Sequence, residues 1–250
     1  MTRVLRAEWI KLRRSGVWPV CVLTPYVIVL FFALFAYFDG ERFLRPDRAW
    51  TWLIMSTLRF FAGVVLPLWV AAITAQVAAI EHRSRGFKHL FVLPVARWRL
   101  YLGKQIVGWG LCLVVMLGLA VALLVAGSIL GWLRPELGFD AFPELAPLLV
   151  GAFGTTLASG FLIAIHTWVA LVRSDLMTPI ALGFVATISV VALGAFDADL
   201  VVFHPWAYPT QWVKSLDGTI ELVWPLVGAA TGALLAMVAG WSFVARDVET

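Results

Sequence analysis

The sequence predicts an all-α integral membrane protein: six transmembrane helices, amino and carboxyl termini cytoplasmic, an amino-terminal interfacial amphipathic helix, and a short helix between spans 2 and 3. Three observations predict it. Hydrophobic residues make up 62% of the 250 and charged residues only 14%. A soluble domain has a charged fraction nearer about a quarter, so this chain carries too little polar material to coat a water-soluble globule. The apolar residues fall into six runs of membrane-spanning length, and mean hydropathy is +0.91. Finally, basic residues are gathered into a few segments: Glu81 to Lys104 is the longest polar interruption and holds six of the 19 Lys and Arg.

The interfacial segment is 1–15. Leu5, Trp9 and Leu12 recur at i, i+4 and i+7 and form one apolar stripe, with Arg3, Arg6, Lys11, Arg13 and Arg14 on the other faces. Glu8 stands one turn before Lys11 and can pair with it. Such a helix is expected to lie in the headgroup layer, apolar side down. A signal peptide is the competing reading, but the run that follows is too long and lacks a clear cleavage site.

The spans are placed at 17–38, 52–80, 106–133, 145–172, 177–196 and 222–244. The first would rise roughly 33 Å, enough to cross a bilayer. The second carries Arg59 early and Pro67 within; Arg59 is read as snorkelling to the outer interface, with pairing inside the bundle as the alternative. Between the fifth and sixth spans, His204 to Pro209 reads HPWAYP, two prolines and two aromatics that suggest a rigid interfacial element instead of a crossing. Trp is abundant, at 13, and gathers near the ends of the runs, as interfacial belts do.

Charge orients the chain. With both termini inside, 13 of the 19 Lys and Arg fall on the cytoplasmic side and five outside, with Arg59 at the boundary. That asymmetry follows the positive-inside rule. The net charge of +4 is therefore read as sidedness, not as a nucleic-acid footprint. Gly228, Gly232, Ala236 and Gly240 make a small-residue ridge at four-residue spacing, and Gly118, Ala122 and Ala126 make another; such ridges allow close helix packing.

Catalytic patterns are absent. No phosphate-cradling Gly-x-x-x-x-Gly-Lys-Ser/Thr, His-Glu-x-x-His or Cys-x-x-Cys occurs, and Cys21 and Cys112 sit far apart in apolar runs. An intramembrane serine hydrolase would need Ser159 and His166 within hydrogen-bond reach, but seven residues on one helix set them two turns apart. In the cytoplasmic loop 81–105, Phe87, Leu90 and Phe91 give a short helix an apolar knob among Arg83, Arg85 and Lys88, and Pro94 ends it. A knob of this kind suits a socket on a cytoplasmic partner or the surface of anionic lipid equally well.

These residues resemble the permease subunits of type 2 ABC transporters, in particular the lantibiotic-protection and bacitracin-resistance branch. Glu8 and Lys11 match an interfacial Glu-x-x-Lys. Glu81, Gly86, Leu90 to Leu93, Pro94-Val95-Ala96-Arg97 and Lys104 match the first cytoplasmic loop, with Leu93 standing where a Ser is usual. The resemblance implies one permease domain over 1–250, partnered by a second permease copy and a cytoplasmic ABC ATPase dimer in the bacterial inner membrane. It implies that Glu81, Arg83, Arg85, Gly86, Phe87, Lys88, Leu90, Phe91, Pro94 and Arg97 form the coupling element. ATP and Mg would be held by the partner, with no cofactor in this chain. The implied activity is export of a hydrophobic or amphipathic compound such as a peptide antibiotic. The reading from a different class is a membrane scaffold without transport.

Overall fold

The computed structural model describes residues 2–13, 15–83, 97–140, 142–143, 145–173, 175–196, 200–216 and 222–245. Ten α-helices carry them: α1 Thr2–Arg13, α2 Val17–Phe43, α3 Ala49–Phe60, α4 Leu66–Arg83, α5 Arg97–Leu133, α6 Leu145–Ala158, α7 Gly160–Val172, α8 Met177–Phe196, α9 Tyr208–Ser215 and α10 Val223–Ala245. No strand occurs among the described residues. Five segments are long and apolar enough to cross a membrane, and the bent pair α6–α7 makes a sixth.

The helices are longer than the apolar runs that seed them. The first continues to Phe43 and the third begins at Arg97, so their polar ends rise out of the apolar slab. The second crossing is α3 and α4 joined by a π-turn over Phe61–Val65. There the Leu66 amide donates to the Phe61 carbonyl, five residues back. The wide turn comes just before Pro67, whose ring cannot take the ordinary bond to the preceding turn.

The fourth crossing is not straight. It breaks at Ser159 with a 44° bend between α6 and α7. The Ser159 hydroxyl donates to the Thr155 carbonyl at 2.7 Å, a back-bond that bends helices. At the bend α10 crosses backbone to backbone. A Cβ on Gly228 would stand 2.3 Å from the Ala158 carbonyl oxygen, and one on Gly232 2.3 Å from the Gly160 backbone. Only glycine fits there.

Between α8 and α10 the chain makes two 3₁₀ turns, Leu200–Phe203 and Pro205–Ala207, and then α9. This segment is wedged into the end of the bundle away from α1. Trp212 is fully buried, fills the space beside Gly154, and donates its Nε1–H to the Gly151 carbonyl at 3.3 Å. At the same end Gly138 adopts φ +86°, and any Cβ would strike the Pro46 carbonyl, so the two loops meet through it. One apolar core runs from α2 through α3, α4, α5 and α6 to α7 and α9.

Candidate functional site

The most unusual group in the molecule lies where α1 meets the base of α5. Lys104 is 5% exposed and Glu8 4% exposed. The Glu8 carboxylate accepts from Lys104 Nζ at 3.1 Å on one oxygen and from Lys11 Nζ at 3.0 Å on the other. The neighbouring turn is buried and polar as well: Gln105 Nε2 donates to the Tyr101 hydroxyl at 2.9 Å. A buried ammonium demands a counter-charge, and Glu8 provides it across 96 positions of sequence.

That demand sets how α1 sits. The stripe of Leu5, Trp9 and Leu12 was expected to face the membrane. Instead Val4, Glu8 and Leu12 form the face against the protein: Val4 packs on Gly103 and Leu12 is buried. Leu5 and Lys11 are half-buried, and Trp9 stays half-exposed, edge-on to Trp18 at 5.3 Å. Turning Trp9 outward is inexpensive, because an indole suits the headgroup layer, whereas an unpaired buried Lys104 would be costly.

The cytoplasmic loop of the sequence reading leaves and returns close by. Glu81 and Arg83 fall in the last turn of α4, and Arg97 opens α5. Arg97 lies roughly 10 Å along the helix from Lys104. Arg85, Gly86, Phe87, Lys88, Leu90, Phe91 and Pro94 lie outside the described residues. A recess of about 930 Å³ opens on the same side, lined by Lys11 and Gly16, by Gln76 and Ile80 of α4, and by Leu176 and Ile180 near the start of α8.

Ser159, His166 and His204 each make one hydrogen bond to a structural partner. Ser159 bonds Thr155, and His166, fully buried, accepts at Nε2 from Trp206 Nε1 at 3.2 Å. Ser159 and His166 therefore make no nucleophile–base pair. His204 is bonded to the Ser189 hydroxyl at 2.9 Å, and burial holds its pKa below the ordinary histidine value.

A family model described as ABC-2 family transporter protein matches residues 4–190. The chain belongs to the ABC-2 transporter family. No curated protein and no solved structure matches it. The match begins inside α1 and ends inside α8, so it takes in Glu8, Lys11, the loop 84–96 and Lys104. An ABC-2 chain with this many apolar helices is a multi-pass membrane protein with a transport permease role. The family also implies partnership with an ABC ATPase.

The remaining residues singled out from sequence fall in two places. Gly228 and Gly232 face the α6–α7 bend, whereas Gly240 lies against the Tyr101 ring of α5 and Ala236 packs beside the same cluster. The second ridge of this ABC-2 protein turns toward α2, with Gly118 against Pro25. Sequence reasoning saw both Glu8 and Lys104 but did not join them. The available signal was a lysine within an apolar stretch and a single acid in the segment before the first span. It also missed Arg134, which donates to the Tyr37 carbonyl at 2.6 Å and pairs with Glu41 and Glu136.

Proposed function

We propose that this ABC-2 protein is the permease subunit of an ATP-driven exporter in the bacterial inner membrane. Its cargo is a hydrophobic or amphipathic compound such as a peptide antibiotic. Two permease chains, identical or related, sit on two cytoplasmic ATPase subunits that hold ATP and Mg. The loop 81–105 docks on the ATPase through Phe87, Leu90 and Phe91, framed by Glu81, Arg83, Arg85, Gly86, Lys88, Pro94 and Arg97.

The observation that carries this reading is the Glu8–Lys104 pair within the region the family matches. Residues 84–96 lead into α5 at Arg97, and the ion pair ties α1 to α5 at Lys104, about two turns further on. A push on the loop is then delivered to α1 and α5 together, with little loss to bending between them. The recess beside Lys11 and Gln76 has the mixed apolar and polar lining that an amphiphile needs.

The test is co-purification with a co-expressed ABC ATPase subunit from the same organism, followed by ATPase assay in liposomes. The wild-type pair is expected to stay together in detergent. The F87D/L90D variant is expected to lose the ATPase while remaining a folded, monodisperse membrane protein. Retention of the ATPase by that variant would remove the docking assignment. A complex that hydrolyses ATP but moves no amphiphile would point to the scaffold reading.

A further inference from the structure

A groove of about 730 Å³ runs between the first turns of α5 and the second half of α10. Trp98, Tyr101 and Trp109 give its lining an aromatic side, and Gly232, Ala233 and Gly240 leave the room opposite them. From Trp98 to Trp109 it extends roughly 16 Å along α5, about the depth of one leaflet. Leu102, Ile106 and Met237 line it as well, and all three are exposed, so the groove opens on the side that meets lipid. Its height in the membrane follows from α1, which docks on the same turns of α5 with Val4 against Gly103 and Glu8 on Lys104. An amphipathic helix lies at the boundary between headgroups and acyl chains, and the groove crosses that boundary.

One side chain of this lining has a bond to spare. Gln105 is only 3% exposed, and its Nε2 donates to the Tyr101 hydroxyl at 2.9 Å. Its Oε1 is buried and meets no hydrogen-bond partner among the described residues. If the amide turns over, the Tyr101 hydroxyl can donate to Oε1, and Nε2 is left over instead. Leaving such a group unpaired away from water costs free energy, which a ligand recovers by supplying the missing bond. A hydroxyl is donor and acceptor at once, so it satisfies the amide in either orientation. The rest of the described lining is aromatic, aliphatic or glycine, and the volume falls in the range of ligand pockets. One polar anchor in an apolar groove suits an amphiphile with a small uncharged head. Arg99 stands over the Trp98 ring at 5.4 Å, outside the lining, and makes an anionic head the competitor to test against.

We propose that the groove binds an uncharged, hydroxyl-bearing membrane lipid of the diacylglycerol class, its hydroxyl bonded to Gln105 and an acyl chain laid along Ile106, Trp109 and Ala233. The site lies apart from the recess beside Lys11 and does not rest on the transport reading. Full-length protein in lipid nanodiscs is irradiated with a diacylglycerol that carries a diazirine in one acyl chain, and labelled peptides are mapped by mass spectrometry. Label is expected on 98–109 and 232–240, above the background on the lipid-facing side of α8. Unlabelled diacylglycerol is expected to compete it away. The deoxy analogue, with hydrogen in place of the hydroxyl, is expected to compete roughly tenfold less well, as loss of one hydrogen bond to a buried group would cause. Gln105→Leu is expected to reduce the labelling to the same degree and to make the two competitors equal. Ala233→Trp keeps Gln105 but fills the groove, and it is expected to bring both segments down to background. Three results overturn the proposal: equal competition by diacylglycerol and its deoxy analogue in wild type, labelling that survives Ala233→Trp, and phosphatidylglycerol competing as well as diacylglycerol, which would give the site to Arg99 and an anionic head.

Discussion

The two ends of the bundle are fastened by different physics. At the α1 end, the Glu8–Lys104 ion pair is buried, with side chains 6% and 4% exposed. At the opposite end the charges are on the outside: Arg42 and Asp39 are 83% and 41% exposed, and Arg134 reaches out to Glu41. What locks that end is a set of indoles pressed onto glycines, Trp212 on Gly154 and Trp50 on Gly127. Buried ion pairs are strict about partner and geometry, while exposed ones contribute little. A ring filling the gap over a glycine is strict about shape but indifferent to charge. On the proposed function, a junction that transmits displacement from the loop would be built from the contact that is strict about its partner.

The largest effect is expected at the buried pair. Glu8→Ala takes the carboxylate from Lys104 and Lys11 at once, and breaking a buried pair in this way costs about 3–5 kcal/mol, whereas Lys104→Ala is expected to cost less because Glu8 keeps Lys11. Thermal unfolding in detergent measures it. The pair replacement E8M/K104M removes both charges together and is expected to recover most of that loss. If ATPase stimulation then stays low in the refolded E8M/K104M complex, the ion pair serves coupling and not only folding. An equally small loss in E8A, K104A and the pair would mean that the two ends are not fastened differently at all.

The second effect belongs to the indole end. Trp212→Phe keeps an aromatic ring on Gly154 but removes the donor to the Gly151 carbonyl. The loss of that bond and of part of the ring is expected to cost about 1–3 kcal/mol. It should not respond to ionic strength. A salt-sensitive W212F would contradict the division between charge-locked and shape-locked ends. Arg134→Gln comes next, with a smaller fall in melting temperature, because its carboxylate partners are solvated. That fall should disappear in high salt.

The fold class was legible because lipid imposes a simple rule: six long apolar runs must become helices. Length and composition carry that rule, and so the fifth crossing, Met177–Phe196, starts and stops where its apolar run does. The bend at Ser159 was not legible. It depends on Gly228 and Gly232 of a distant helix meeting Ala158 and Gly160, and four-residue glycine spacing says that something packs there without saying what. The docking of α1 was not legible for a related reason: periodicity picks out Leu5, Trp9 and Leu12, but it does not show that Leu12 is buried beside a Glu8 that pairs with Lys104 of α5 while Trp9 stays half-exposed. Segment-level properties were readable, whereas contacts across 70 or more positions, such as that between Ala158 and Gly228, were not.

The smallest expected effect sits at the charged end, on the turn between α7 and α8. Asp175 caps α8: one carboxylate oxygen accepts from the Thr178 amide at 2.6 Å and the other from the Thr178 hydroxyl at 3.0 Å. These bonds favour the ionised form, and they hold the Asp175 pKa below the ordinary aspartate value. A folded-state pKa below the unfolded one gives stability that is fully present above the unfolded value. It is lost as pH falls through the folded value. Asp175 is exposed, so the change is small, and it appears as a difference between variants. Asparagine also caps helices well but cannot titrate. Asp175→Asn is therefore expected to match wild type in acid, and to lack the share of stability that wild type gains between about pH 3 and about pH 7. Asp175→Ala is expected to be the least stable at every pH, since it loses the cap itself. Melting curves of the three proteins across that range check the assignment, and an Asp175→Asn profile parallel to wild type would show that the carboxylate charge does nothing for the start of α8.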